Sequence, residues 1–117
     1  MIYRVLNSTR NITLGREIIL ANSSAERRKG LLKQDSLEDG SGLWITPCEA
    51  IHTFFMRFAI DVIFLDRQNR VRKIRPHLQP WRLSACLVAQ SVLELPVGTV
   101  ERTLTATGDQ LVFERRE

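Results

Sequence analysis

Ile60-Asp61-Val62-Ile63-Phe64-Leu65, followed by Asp66-Arg67-Gln68-Asn69-Arg70 and then Val71-Arg72-Lys73-Ile74, is the stretch on which the fold turns. The first six residues are apolar on both faces apart from Asp61, the pattern of a strand buried on both sides. The polar pentad is turn chemistry, so the whole segment reads as a hairpin. An isolated carboxylate in such a strand is costly unless it is paired or hydrogen-bonded. Asp61 is therefore the most informative residue. In a structural role it accepts bonds from backbone amides or from an Arg and fixes the chain where strands meet. In a functional role it is a ligand contact or a general base, because burial raises a carboxyl pKa. Arg57 is the expected partner. On one uninterrupted strand the two lie about 13 Å apart, and a break around Phe58-Ala59 brings the guanidinium fork within reach.

Moving toward the N-terminus, the residues from His52 alternate. His52, Phe54, Met56 and Phe58 fall on one face of an extended segment, and Thr53, Phe55 and Arg57 on the other. Leu43-Trp44-Ile45 reads as a short strand closed by Pro47, after a loop over Asp35 to Gly42. Ser23 with Glu26 three residues later is a capping box. The helix it starts carries Arg27, Arg28 and Lys29 and ends near Leu32, with Gly30 weakening its last turn. Before it come strands over Ile2 to Leu6, Ile12 to Leu14 and Glu17 to Ala21, with turn chemistry at Ser8 to Asn11 and a bend or bulge at Gly15.

Toward the C-terminus, Pro76 and Pro80 mark an irregular crossing that holds His77 and Trp81. Val88 to Leu95 reads as a strand after a short helical turn, ended by Pro96-Val97-Gly98. Thr99 to Leu104 forms one or two helical turns, and Gly108-Asp109 turns into a last strand, Gln110 to Glu114. Many short strands, one main helix and short helical turns predict an α+β domain, mostly antiparallel, with a curled or barrel-like sheet.

The 117 residues suit one domain, taken as 1–117. At 44% hydrophobic and 26% charged, the composition is that of a globular chain and excludes collagen, coiled coil and disulfide scaffold. The net charge of +4 is too small and too scattered to announce nucleic acid. The longest apolar run, Ala85-Cys86-Leu87-Val88-Ala89, is far short of the roughly 20 residues of a membrane span. The N-terminus shows no leader pattern, and Cys48 and Cys86 alone make no disulfide framework. A cytoplasmic protein with reduced thiols and no membrane association is expected.

Ile51-His52-Thr53-Phe54-Phe55-Met56-Arg57-Phe58-Ala59-Ile60-Asp61-Val62-Ile63-Phe64-Leu65-Asp66, with Val92-Leu93-Glu94-Leu95-Pro96-Val97-Gly98, Gly108-Asp109 and Arg28-Lys29-Gly30-Leu31-Leu32, resembles the prokaryotic family called domain of unknown function 192. The four blocks occur in order within roughly residues 26 to 112. The resemblance implies a small β-rich domain without an established activity. This chain has Ala59 where family members commonly have proline.

The chemistry-bearing residues form a short list. Cys48 and His52 are four apart, a spacing that fits thiol–imidazole catalysis on a helical turn, but the local pattern is loop then strand. There a packed thiol and a hydrogen-bonded His are the plainer reading. No Cys-x-x-Cys or His-x-x-x-His is present, so neither a metal nor another cofactor is expected. Glu94, between Leu93 and Leu95, faces outward on an edge by alternation; in a sharper reading it converges on the cleft of Asp61. Trp44 and Trp81 are core residues or stacking platforms. Arg67, Arg70, Arg72, Lys73 and Arg75 form a basic hairpin, read as a solvated face.

These observations predict a domain that binds a small ligand or a protein partner without catalysis. The expected pocket contacts are His52, Phe55, Met56, Arg57, Asp61, Trp81 and Glu94. The alternatives are a hydrolase or transferase using Cys48 with His52, or using Asp61, and a weak nucleic-acid accessory protein acting through the hairpin at 67–75.

Overall fold

The computed structural model describes residues 1–32 and 34–117, and for Arg28 and Lys29 the backbone alone. Among the described residues nine strands and two short helices run in the order β1 (Ile2–Asn7), β2 (Ile12–Ala21), α1 (Ser24–Lys29), β3 (Ser41–Ile45), β4 (Ala50–His52), β5 (Ile60–Leu65), β6 (Val71–Leu78), β7 (Leu83–Ala85), β8 (Ser91–Pro96), α2 (Thr99–Thr103) and β9 (Leu111–Arg115). Seven strands form one sheet ordered β6-β5-β8-β3-β2-β1-β9, and β4 pairs with β7 in a separate ribbon. All pairings are antiparallel except β2 with β3. The domain is mostly β, with less helix than the α+β expectation assigned to it.

The sheet curls until its two edges touch at one end. Arg70 bridges Gln110, the Val71 amide donates to the Asp109 carbonyl at 2.9 Å, and the Leu111 amide donates to the Asn69 carbonyl at 3.0 Å. Inside the curl lie Val5, Leu14, Ile18, Ile63, Leu65, Val71, Leu93, Leu95 and Leu111. The outer face of β3, β5 and β8 carries a second cluster, in which Leu43, Ile45, Val62, Phe64 and Val92 pack with Leu31, Ile51, Met56 and Leu78. A central strand with a core on each side explains why β5 and β8 are buried along their whole length.

Several local expectations change in the folded chain. The two strands expected over Ile12 to Ala21 are one strand with a bulge near Gly15, which pairs with Val5. A side chain at Gly15 would place its Cβ 2.7 Å from the Gly40 carbonyl oxygen, so the bulge needs the bare backbone. The Ser23–Glu26 capping box forms in both directions, but α1 stops at Lys29 and not near Leu32. Gly30 is its C-cap, with φ of 46°, a conformation that ends the helix. Pro76 lies within β6 rather than in an irregular crossing.

The largest change concerns residues 53–59, which are not a strand. Thr53 is fully buried and Phe55 is 70% exposed, although alternation puts the two on one face. The Met56 amide donates to the Thr53 carbonyl across a turn, and Phe55 sits at φ of 66°. Thr53 governs this turn. Its hydroxyl donates to the Gln79 carbonyl at 2.6 Å and accepts from the Arg82 amide at 2.9 Å. A buried polar side chain with its bonds filled outweighs the apolar periodicity around it.

Candidate functional site

β8 pairs β5 on one side and β3 on the other, with Glu94 opposite Val62 and Leu43. Directly opposed residues share a sheet face, so Glu94 points outward with Val62, under α1 and the β3–β4 connection. It is not on an edge. Its carboxyl is the floor of a cleft of about 570 Å³. The walls are Leu31, Leu32, Ile45, Pro47, Ile51 and Met56, and Ser24, Arg27, Gly30, Cys48, Ala50 and His52 complete the lining. At β3, a side chain on Gly42 would bring its Cβ to 2.7 Å from the Glu94 carbonyl oxygen and 2.9 Å from Ile18 and Leu95, so the bare backbone there lets β3 and β8 pair closely on the inner face, opposite the Glu94 carboxylate.

Glu94 is only 4% exposed. Among the described residues no hydrogen-bond donor or cation reaches its carboxyl group. Burial alone, with nothing described to offset it, pushes its pKa from the ordinary 4.5 up to about 7. Cys48 lines the same cleft. Burial pushes its thiol up as well, the Glu94 charge adds to that, and Sγ donates to the Ala50 carbonyl at 3.2 Å. A thiol so placed stays protonated and is a poor nucleophile. Arg27 is the described cation of the cleft, and its guanidinium donates to the Asn22 carbonyl at 3.0 Å and to Ser24 Oγ at 3.5 Å.

Of the seven expected pocket contacts, the fold brings His52, Met56 and Glu94 to this cleft. Phe55 and Trp81 lie outside it on the surface. Their rings stand 4.6 Å apart, and Phe54 stacks with both Trp81 and His52, so an aromatic ladder leads away from the rim. Arg57 is exposed and pairs with Asp35, not with Asp61. The chain does break before Ile60, but the break turns the guanidinium to the loop after α1.

Asp61 and Glu94 do not share a cleft. Asp61 opposes Leu95, whose side chain belongs to the inner cluster, so the two carboxylates sit on opposite faces of the sheet. Oδ1 of Asp61 accepts the His77 amide and Oδ2 accepts the Val100 amide, each at 2.9 Å. Val100 is the second residue of α2, whose N-cap Gly98 has no side chain to offer. Asp61 thus caps α2 from the neighbouring strand, a structural role filled by amides and not by an Arg. Asp109 is a third buried carboxylate, one that the sequence reading passed over. It accepts from Arg10 Nε at 2.7 Å, Asn7 Nδ2 at 2.9 Å and the Ala106 amide at 2.9 Å.

Arg72, Lys73 and Arg75 of the basic hairpin are engaged locally. Arg72 pairs with Asp66, Lys73 donates to the Ala85 carbonyl at 2.7 Å, and Arg75 reaches Ser84 Oγ at 3.3 Å. Side chains of Arg28 and Lys29, in the fourth block of the family resemblance, lie outside the described residues. Among the described residues no helix is long and apolar enough to cross a membrane.

The chain matches the model of the "Uncharacterized ACR" family, domain of unknown function 192, over residues 5–113. A UPF0127 protein of Pyrococcus horikoshii is 32% identical over 113 residues, which cover 92% of this chain and 96% of that one. A UPF0127 protein of Pyrococcus furiosus is 31% identical over 115 residues, covering 90% and 97%. The crystal structure of a protein of unknown function from Novosphingobium aromaticivorans is similar in fold, with a TM-score of 0.78, 24% identity and coverage of 94% of this chain and 82% of that one. A match over nearly the whole chain, on a β-rich domain with the four sequence blocks in order, shows that the protein belongs to the uncharacterised family called domain of unknown function 192.

Proposed function

We propose that the chain is a small-molecule-binding module whose ligand sits in the cleft over Glu94. The observation that carries this reading is a carboxyl group, 4% exposed, aimed into an apolar-walled cleft with no described partner. For folding alone an apolar side chain would serve better at that position, since a buried ionisable group without partners costs stability. Such costs concentrate where function needs the group. His52 and Met56 line the same cleft and are assigned as contacts, and Phe55 and Trp81 belong to the aromatic ladder that extends from its rim. The protonated, hydrogen-bonded Cys48 favours binding over thiol catalysis. Two free thiols, Cys48 and Cys86, fit a reducing compartment and support a cytoplasmic setting.

The test is an amide-resolved NMR screen with mixtures of small organic fragments. Ligands are expected to shift Leu31, Ile45 to His52, Met56 and Glu94 as one group. Ala50→Trp, a change at an exposed residue that lines the cleft, should abolish those shifts while leaving the melting temperature near that of the wild type. Fragment shifts scattered over the surface, or unaltered by Ala50→Trp, would overturn the proposal.

A further inference from the structure

The chemistry lining the cleft restricts what can occupy it. Its floor offers acceptors. The Glu94 carboxyl lacks a described donor, and the nearby Cys48 proton is already given to the Ala50 carbonyl. Its walls, Leu31, Ile45, Ile51 and Met56, are aliphatic, and the unbranched Met56 thioether can adapt to varied shapes. A group that settles on the floor must therefore bring its own hydrogen-bond donors, attached to an apolar body. Among the described residues, the titratable or charged groups facing this space are Arg27 from α1, Cys48 from the segment before β4, His52 from β4 and Glu94 from β8. Arg27 is engaged with Asn22 and Ser24. Hydrogen bonds between an ammonium and a carboxylate are about twice as strong as neutral ones, and a site screened from water strengthens them further.

We propose that the cleft takes a small organic cation, an amine, amidine or guanidine on an apolar body, with its N–H groups on the Glu94 carboxylate. This rests on the binding reading above and adds the class of ligand. Cation binding and proton binding at Glu94 are then competitive, because an ammonium selects the ionised carboxylate. Around pH 7, where burial leaves Glu94 partly protonated, the ligand displaces the proton and the carboxyl titrates at lower pH when the site is full.

The probes are n-hexylamine, 1-hexanol and hexanoate, which share a chain and differ in the head group. Each is added to the full chain and followed by amide NMR and by the side-chain carboxyl carbon of Glu94 across pH 5 to 9, pH values chosen to span about two units either side of the midpoint. Hexylamine is expected to shift the cleft residues and, at saturation, to lower the Glu94 midpoint by about one unit or more, a tenfold change in proton affinity. Its affinity should fall about tenfold in Glu94→Gln, which keeps the shape and loses the charge. The class assignment is overturned if hexanol or hexanoate occupies the cleft as well as the amine does, or if the Glu94 midpoint stays put or rises. The binding reading then still stands. If no probe shifts the cleft residues at millimolar concentration, while a folded spectrum is retained, both readings fall together.

Discussion

Glu94 sets the residue-scale question, because its environment makes a stability statement as well as a binding one. In the unfolded chain its carboxyl titrates near the ordinary 4.5; in the fold it titrates near 7. Between those values the folded protein holds a proton that the unfolded chain has released. Unfolding therefore releases a proton, and raising the pH from about 4.5 to about 7 lowers stability. The full contribution, lost by the time pH exceeds the folded value, is about 3 kcal/mol. Replacing Glu94 by Gln should remove that slope, so that the variant gains on the wild type as pH rises from 5 to 8. Denaturant melts at those pH values check it; parallel curves for the two proteins would contradict it. The sequence shows why this residue is hard to read. Leu93-Glu94-Leu95 is the alternation of an edge strand, and nothing local says that β8 lies between β5 and β3 with a helix above it.

At the scale of elements, Asp61 joins two that share no register. Its carboxylate closes the start of α2 and holds the His77 amide of β6, where the β5–β6 register shifts. Removing it in Asp61→Ala leaves two amides unpaired in a largely closed site, at a cost of roughly 2–4 kcal/mol. Arg57→Ala should cost less than about 0.5 kcal/mol, because its pair with Asp35 is exposed. The double variant should be additive in denaturant melts, and a coupling above about 1 kcal/mol would restore the direct pair that the fold does not show. The buried run Ile60 to Leu65 and the capping box at Ser23 were legible because each is a local pattern with a local cause. Helix α2 was legible as a turn of helix, but not its cap, which comes from a strand almost forty positions earlier. The segment His52 to Phe58 misled because period two describes apolar spacing and says nothing of a hydroxyl such as that of Thr53, which binds the backbone of Gln79 and Arg82 and turns the chain under itself.

For the whole molecule the decisive feature is closure. Between β1 and β9, and again where β6 meets the segment before β9, the curl depends on the short stretch from Thr105 to Leu111. Asp109 is the hub of that stretch. Its carboxylate gathers the end of β1 through Asn7, the β1–β2 turn through Arg10 and the chain after α2 through the Ala106 amide, while its own carbonyl holds the Val71 amide of β6. Burial would raise its pKa, but the bonds from Arg10, Asn7 and Ala106 outweigh it and hold the carboxyl below its ordinary value of 3.8. A carboxylate lowered in the fold adds stability above its unfolded pKa, and that stability disappears as pH falls through the folded one. Asp109 therefore acts on the acid side of pH 3.8, in the opposite sense to Glu94, which acts between 4.5 and 7. Asp109→Ala should cost roughly 2–4 kcal/mol at neutral pH, since Asn7 and the Ala106 amide lose a buried acceptor. Hydrogen exchange should locate the loss along both edges, with protection falling at Val71, Leu111 and the β1–β9 ladder and with little change at the β3–β8 pairing. Uniform loss across all seven strands would mean that the sheet closes by its core alone and that the Asp109 hub is incidental.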